Sequence, residues 1–401
     1  MSDLTYVPGA PWPPQAAPGK SPLLFAPELL LWMAALVSFP FYVMSSGSMQ
    51  ISSVLLLLTM AATLLQLRRR GLPLFSAESL PLVKMLAAFV FYAAVLSLVW
   101  AIVLSDLDVA AAPGYYTFNL MVVILVTSLY RLHGLRLIRL TRWVIFGSIA
   151  LQFCLSFTFA DRGFRELLFF NNANQLGYYA LVCASIMALP LRAGSSRLQQ
   201  IVFSIGILMC TWLALLSLSK AATISTVVFL FLAGSRNWIQ LWIGSMVVLM
   251  LMTFDLDQVT TRVDNLTVRF ESFGEEGGDE TFEGRGYDRI WENPEMLIVG
   301  AAEHGNYRWA NSDQNIELHS TIGTLVFSYG IPGVLLMGGF LAVILRTGGW
   351  RIVPFMIPEF MFSVTHMGLR FVMTWVYFLM LFLVALEWRR ERQSSSAALL
   401  Q

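Results

Sequence analysis

The sequence predicts an all-α polytopic integral membrane protein with about 12 transmembrane helices and one large loop. Three observations predict this fold. Of the 401 residues, 57% are hydrophobic and only 13% are charged, whereas soluble domains carry about 25% charged residues. Apolar runs of the length that crosses a bilayer, about 20 residues, recur along the chain. Arginines collect in alternate connections between these runs, as expected of cytoplasmic loops.

The apolar runs set the bounds of the predicted spans. Nine spans lie within 27–254 and three within 321–388, and the run 221–235 is the shortest of them. The preceding segment, 1–26, and the final segment, 389–401, are predicted as cytoplasmic tails. In chain order the spans are 27–45, 49–67, 83–104, 114–131, 142–160, 174–191, 199–216, 221–235, 238–254, 321–345, 352–369 and 371–388.

The charges of the connections orient these spans. With the N-terminus inside, the inward connections and the C-terminal tail carry most of the arginines. The short outward connections are small or acidic, such as "SSGS" at 45–48 and the pair Asp106 and Asp108. The formal net charge is +1, so we expect no nucleic-acid partner. The inward arginines are Arg68, Arg69, Arg70, Arg131, Arg136, Arg139, Arg142, Arg192, Arg197, Arg236, Arg346, Arg351, Arg389, Arg390 and Arg392.

One outward connection, 255–320, is much longer than the others and is strongly acidic. Its stretch "GEEGGDETFEGRG" predicts a mobile tip, and the aromatic residues Trp291, Tyr307 and Trp309 predict packed flanks. We therefore expect a large hydrophilic loop outside the membrane.

Several cations break the charge rule, because this topology puts them on the outward side. They are Arg162, Arg165, Lys220, Arg285, Arg289 and Arg370. Ion pairs with the acidic loop, or snorkelling to lipid headgroups, would explain any one of them. For the set we favour an anion site. The planar fork of arginine suits phosphate oxygens, and two forks suit a diphosphate.

Four amides crowd the start of the sixth predicted span, at Asn171, Asn172, Asn174 and Gln175. An amide offers both donors and acceptors, which suits a ligand rich in hydroxyls such as a sugar. Helix capping by Asn172 or Asn174 is the structural alternative. Capping explains one amide and leaves three for binding.

Four stretches together resemble the O-antigen polymerase and O-antigen ligase superfamily of bacterial envelope polysaccharide glycosyltransferases. "FNNANQLGYYAL" at 170–181 resembles the family's Asn-x-Asn-x-Leu-Gly element, with Ala173 in place of proline. "SLSKAATIS" at 217–225 resembles its Ser-x-Ser-Arg element, with Lys220 in place of arginine. "GRGYDRIWENPEMLIVGAAEHG" at 284–305 and "ELHSTIGTLVFSYGIPG" at 317–333 resemble the distal loop and the helix entry that follows it.

The resemblance implies a GT-C-like membrane glycosyltransferase that makes lipopolysaccharide or exopolysaccharide. Such enzymes take a glycan from an undecaprenyl-diphosphate carrier at the periplasmic face of the bacterial inner membrane. A polymerase extends a second lipid-linked repeat unit, and a ligase transfers to lipid A-core; polymerase is our first expectation. A chain-length regulator and a flippase of the same pathway are expected partners, besides membrane lipids. A transporter of lipid-linked sugar, or a structural member of an assembly complex, is the alternative from another class.

Within this reading, cations stabilise the departing diphosphate. Arg165 and Arg285 are the primary diphosphate ligands that we predict, supported by Arg162, Arg289, Lys220 and Arg370. His319 is the leading candidate for the base that takes the proton of the acceptor hydroxyl, and Glu317 beside it either orients His319 or is itself the base. We predict no metal site and no cofactor. His366 and Arg370 have aromatic neighbours that favour interfacial anchoring, and Glu359, next to Pro358 inside a span, is left between a functional role and a kink.

Overall fold

The computed structural model describes residues 26–45, 47–159, 165–190, 196–232, 264–265, 267–268, 286–304, 308–309 and 318–398. The regular structure within these ranges is helical, with no strand among them. This agrees with the predicted all-α class.

The helices of the first half follow one another with short connections. They are α1 (Pro27–Ser38), α2 (Ile51–Arg69), α3 (Leu80–Leu104), α4 (Ala112–His133), α5 (Leu135–Phe159), α6 (Ala173–Ala188), α7 (Arg197–Leu216) and α8 (Lys220–Leu232). Two short helices come next, α9 (Asp288–Glu292) and α10 (Met296–Val299). The chain ends with α11 (Thr321–Gly348), α12 (Val353–Thr365) and α13 (Val372–Ala398). Single 3₁₀ turns at Leu107–Ala110 and Gly349–Ile352 precede α4 and α12.

Within the described part of the chain, 7 helical stretches are long and apolar enough to cross a membrane. The multi-pass architecture of the prediction therefore holds, but its count of twelve spans is not reached. The stretches are Ile51–Arg69, Leu80–Leu104, Leu107–His133, Leu135–Phe159, Arg197–Leu216, Thr321–Thr365 and Val372–Ser396. The predicted span 238–254 lies outside the described residues.

The remaining predicted spans fold as shorter helices. Spans 27–45 and 174–191 correspond to α1, with 12 residues, and α6, with 16. Pro40 and Pro190 follow these two helices closely, and proline disfavours helical backbone at the residue before it. Thirteen of the 16 residues of α6 are buried. A helix surrounded by protein does not need to match the thickness of the bilayer, so its apolar sequence overstated its length.

The end of the predicted span 352–369 has a local cause. This span corresponds to α12, which has 13 residues, contains Pro358 and ends at Thr365, before Gly368. The described part of span 221–235 lies in α8, an apolar helix, and residues 233–235 lie outside the described residues.

The connections that carry the predicted motifs meet at one end of the bundle, which we call the amide end. It comprises 39–45, 47–50, 165–172, 217–219, 300–304, 318–320 and 366–371. Hydrogen bonds join these connections across the bundle: Tyr42 N donates to Phe169 O at 3.0 Å, Glu166 N to Leu216 O at 3.1 Å, and Thr321 N to His366 O at 3.1 Å.

The opposite end of the bundle is rich in arginine. Arg131 Nη1 donates to Pro73 O at 2.6 Å and ties α4 to the connection between α2 and α3. Arg390 Nη2 bonds Glu78 Oε2 at 2.6 Å and ties α13 to the same region. The charge asymmetry that oriented the predicted spans therefore corresponds to two physical ends of the folded chain.

Helix α11 is broken at Gly330, whose φ of 59° and ψ of −165° are not helical. Pro332 follows two residues later and has no N–H to donate. A break of this kind leaves backbone carbonyls of the preceding turn unpaired, which is costly inside a membrane unless other donors reach them.

Those donors come from residues 299–302. Ala301 N donates to Phe327 O at 3.0 Å and Ala302 N to Ser328 O at 2.9 Å. Trp100 Nε1 of α3 donates to Gly300 O at 3.0 Å and holds the segment from its other side. Residues 299–302, which belong to the predicted loop 255–320, therefore pack into the bundle. The broken helix supplies this apolar stretch with hydrogen-bond partners.

Candidate functional site

Arg165 joins two of the predicted motifs at the amide end. Its Nη2 donates to Asn174 Oδ1 at 2.6 Å, and its Nε donates to Ser217 O at 3.3 Å. Asn174 belongs to the first turn of α6, whereas Ser217 follows the last residue of α7. The side chain of Arg165 is half-buried. Its guanidinium is therefore held in a defined orientation by groups from two helices.

A glycine lets these two motifs approach each other. A Cβ added at Gly177 would lie 2.6 Å from Ser217 Oγ, 2.8 Å from Ala222 Cβ and 3.3 Å from Ser219 Cβ. A side chain larger than hydrogen therefore does not fit between α6 and the corner at 217–219. The Leu-Gly of the first predicted motif and the Ser-x-Ser of the second form one tightly packed contact.

The amides of the 171–175 cluster have separate tasks. Asn172 is the N-cap of α6, and its Oδ1 accepts from Gln175 N at 2.9 Å, which confirms that one amide caps this helix. Asn171 is exposed, and its Nδ2 donates to Met44 O at 3.0 Å in the connection between α1 and α2. Asn174 orients Arg165. The role of these amides and of Gln175 as sugar ligands stays a prediction.

The other predicted cations divide between described and undescribed parts of the chain. Lys220 is the first residue of α8, with 8% of its surface exposed, three residues after the Ser217 that binds Arg165. Arg162, Arg285 and Glu317 lie outside the described residues. Their predicted roles as diphosphate ligands, and of Glu317 as partner of the base, therefore stay predictions.

His319 is exposed at the entrance of α11, directly before the N-cap residue Ser320. Ser320 Oγ accepts from Gly323 N at 3.0 Å and from the hydroxyl of Tyr287 at 2.6 Å. The Tyr287 hydroxyl also contacts the Val364 carbonyl of α12. The third predicted motif, through Tyr287, therefore fixes the backbone beside the histidine of the fourth.

Arg289 is on α9 and is 4% exposed, which is unusual for arginine. Burial lowers the pKa of its guanidinium below the usual value, and the neighbouring Asp288 carboxylate acts in the opposite direction. A cation placed in such an environment interacts more strongly with an anion than a solvated one does. Arg289 thus has the physical character expected of a buried anion ligand, although its role is a prediction.

Arg370 pairs with a buried carboxylate. Its Nε donates to Glu303 Oε2 at 2.8 Å, its Nη2 contacts the same oxygen, and its Cζ lies 5.5 Å from the centre of the Tyr115 ring. Glu303 is 3% exposed, and its Oε1 receives the hydroxyls of Tyr116 and Tyr329. Glu303 therefore joins the 300–304 segment to α4 through Tyr116, to α11 through Tyr329 and to the connection 366–371 through Arg370. Because Glu303 already pairs with its charge, Arg370 is less suited than Arg165 to be a primary diphosphate ligand.

Sequence reasoning missed the Glu303 cluster. Glu303 counted only as one of many acids in the large loop, and Tyr116 and Tyr329 lie in apolar spans where a tyrosine is unremarkable by position. The signal available was the apolar stretch "MLIVGAAE", which is unlike the surrounding acidic sequence. It indicates a buried loop end rather than a solvated one.

The comparisons with known proteins leave the site to be interpreted from its own chemistry. No protein-family model matches the chain, and no curated protein matches it. Among the described residues, no group of three or more His, Cys, Asp or Glu side chains is placed to hold a metal ion.

Proposed function

We propose that this chain is a membrane glycosyltransferase that joins undecaprenyl-diphosphate-linked repeat units into an envelope polysaccharide. The donor is a glycan on the lipid diphosphate, and the acceptor is a hydroxyl of a second lipid-linked repeat unit. The site lies at the amide end of the bundle and includes Arg165, Arg285 and His319. Arg162, Arg289, Lys220 and Arg370 are assigned supporting roles in binding the diphosphate.

The contact of Arg165 with Asn174 and Ser217 carries the proposal. It joins two stretches that resemble polymerase and ligase motifs, and the two hydrogen bonds that Arg165 donates orient its guanidinium. Preorganised donors of this kind stabilise charge that develops in a transition state without reorganising during the reaction. The Tyr287–Ser320 bond gives the His319 stretch a comparable anchor at the same end.

The reaction forms one bond and breaks one at the anomeric carbon, and a proton is transferred from the acceptor. The acceptor hydroxyl attacks the anomeric carbon of the donor sugar, and its proton passes to the imidazole of His319. The bond between the anomeric carbon and the lipid diphosphate oxygen breaks, and that oxygen keeps the electron pair. The negative charge that grows on the diphosphate is stabilised by the guanidinium groups of Arg165 and Arg285.

The full topology belongs to the same proposal. It has 12 spans and a GT-C-like arrangement, both tails in the cytoplasm, and the amide end at the periplasmic face of the bacterial inner membrane. The arginines of the opposite end support this orientation, since cytoplasmic connections are enriched in basic residues.

Two alternatives use the same donor. A ligase would transfer the glycan to lipid A-core, and the site chemistry described above serves either acceptor. A transporter would move the lipid-linked sugar without chemistry, and we rank it below the enzymes. The buried charges at the amide end concentrate beside connections, whereas a path for an anionic headgroup calls for charges along the length of the spans.

One experiment separates these functions. The purified chain in lipid nanodiscs is incubated with synthetic undecaprenyl-diphosphate-linked oligosaccharides, with or without lipid A-core, and the products are sized by mass spectrometry. Longer lipid-linked glycans without lipid A-core support the polymerase. Products that need lipid A-core support the ligase. Unchanged glycans, combined with transfer of labelled lipid across liposomes, would overturn the enzyme proposal.

A further inference from the structure

A buried carboxyl group inside the bundle has no part in the proposed reaction. Glu359 is on α12, and only 3% of its surface is exposed. Carboxyl groups inside membrane spans are costly and are retained where they bind a partner. The partner of Glu359 is the hydroxyl of Tyr178 on α6, which contacts its Oε1.

The Tyr178 hydroxyl begins a chain of hydrogen bonds toward the amide end. It lies 2.6 Å from Thr374 Oγ1 of α13, and Thr374 Oγ1 donates to Gly368 O at 3.0 Å. Gly368 N in turn donates to Thr321 Oγ1 at 2.7 Å, at the first turn of α11. A chain of polar contacts therefore runs from α12 through α6 and α13 to α11.

Aromatic packing also holds Tyr178 and the connection 366–371 in place. The ring of Tyr178 stacks on Phe362 at 4.2 Å between centres, and Phe362 stacks on His366 at 4.5 Å. A Cβ at Gly368 would lie 2.3 Å from Tyr178 Oη. The connection 366–371 is therefore seated directly on the hydroxyl of Tyr178.

Both ends of this chain lie next to residues of the proposed site. Asn174, which orients Arg165, precedes Tyr178 by one helical turn and so shares its face of α6. Thr321, at the other end, follows His319 by two residues. The distance between the Arg165 side and the His319 side of the site thus depends on the contacts of Tyr178.

We propose that Tyr178 and Glu359 are positioning residues that set the spacing between Arg165 and His319. This inference rests on the proposed glycosyl transfer. In this proposal the buried pair holds Arg165, which binds the leaving group, at a fixed distance from His319, which acts as the base. Rates of group transfer are sensitive to such spacing, since a misplacement of about 1 Å costs about 100-fold.

The number of hydrogens available for these contacts explains why we expect glutamine at position 359 to retain the function of Glu359. The contacts Glu359–Tyr178, Tyr178–Thr374 and Thr374–Gly368 each need a hydrogen, and the two hydroxyls supply one apiece. The third comes from the carboxyl group when it carries a proton. An amide of the same shape carries hydrogens of its own, whereas leucine has none to give.

The test compares two neighbouring tyrosines in the full chain in nanodiscs. Tyr178→Phe removes the hydroxyl and keeps the ring stacked on Phe362. Tyr179→Phe is the matched control, because Tyr179 is equally buried and its hydroxyl bonds Ser148 of α5 at 2.9 Å, away from this chain of contacts. Glu359→Gln and Glu359→Leu form the second pair.

We expect Tyr178→Phe and Glu359→Leu to lower kcat for glycan elongation by about 10- to 100-fold at little-changed KM for the donor. We expect Tyr179→Phe to match the wild type and Glu359→Gln to recover most of the rate. The positioning role is overturned if the wild type elongates glycans and Tyr178→Phe has the same kcat as Tyr179→Phe.

A second measurement, hydrogen exchange of the backbone amides in 366–371, does not depend on the reaction. Faster exchange in Tyr178→Phe than in Tyr179→Phe supports the role of Tyr178 in seating this connection, and equal exchange contradicts it. If the wild type elongates no glycan while exchange differs between the two variants, the proposed function fails and the structural part of the inference stands. This measurement also decides the matter where Glu359→Leu fails to fold.

Discussion

Replacement of Arg165 probes the contact on which the proposed function depends. In the folded chain Arg165 Nη2 donates to Asn174 Oδ1 at 2.6 Å and Arg165 Nε donates to Ser217 O at 3.3 Å. These bonds orient the guanidinium group. Loss of one preorganised donor to a developing negative charge costs about 2.7–4 kcal/mol, or about 10²–10³ in kcat. We therefore expect Arg165→Ala to lower kcat by that factor.

Lysine tests geometry separately from charge. The ammonium of Arg165→Lys keeps the positive charge but is a single compact group without a planar fork. It has no second nitrogen with which to bind Ser217, Asn174 and a phosphate oxygen together. We expect Arg165→Lys to recover less than a tenth of the wild-type kcat, on the scale of about 1.4 kcal/mol for each tenfold loss.

The assay is elongation of a lipid-diphosphate-linked oligosaccharide by purified protein in nanodiscs, with kcat and KM measured separately. Arg351→Ala serves as the matched control, since Arg351 is an exposed arginine in the 3₁₀ turn before α12, away from the amide end. We expect it to leave kcat unchanged. An Arg165→Ala protein that keeps near-normal kcat and KM would refute the diphosphate role.

The other predictions concern packing, the loop anchor and metal dependence. Gly177→Ala brings a Cβ to 2.6 Å from Ser217 Oγ, and we expect thermal unfolding to show a loss of stability of about 1–3 kcal/mol. Gly147→Ala is the control, because the space around Gly147 is open, and we expect it to leave stability unchanged. Equal melting temperatures of the two variants would contradict the close contact at Gly177. Gly330→Ala meets Gly300 N at 2.9 Å at a positive φ and should also unfold earlier; unchanged melting would argue against the broken helix. Glu303→Ala should cost about 1–3 kcal/mol by leaving polar partners unsatisfied. Glu303→Gln loses only the charge and should cost part of that, and a Glu303→Gln protein as stable as the wild type would argue against the ion pair. A chelator should leave elongation intact, and a loss restored by added divalent metal would disprove a metal-free reaction.

The long apolar helices were predictable because each one corresponds to a continuous apolar run of its own sequence. The predicted spans 49–67 and 83–104 correspond to α2 (Ile51–Arg69) and α3 (Leu80–Leu104) within three residues at each end. The sequence says less where a distant neighbour determines the outcome. Residues 299–302 pack against α11, where the break at Gly330 leaves carbonyl groups for them to bind.

The contacts of the candidate site also differ in how far they can be predicted from the sequence. Arg165 and Asn174 are nine residues apart, so their proximity follows from local sequence around one helix start. Glu303 binds Arg370 at a separation of 67 residues and Tyr116 at a separation of 187. Such partners follow from how helices pack, and neither charge pattern nor apolar periodicity contains that information.

The most direct test of the central claim is the stoichiometry of a single turnover. Purified protein in nanodiscs receives a synthetic undecaprenyl-diphosphate-linked oligosaccharide, and free lipid diphosphate and glycan length are measured in the same sample. Glycosyl transfer predicts one undecaprenyl diphosphate released for each glycosidic bond formed, and a release by Arg165→Ala that is slower by about 10²–10³. Donor that binds the wild-type protein but yields neither lipid diphosphate nor a longer glycan would contradict the account.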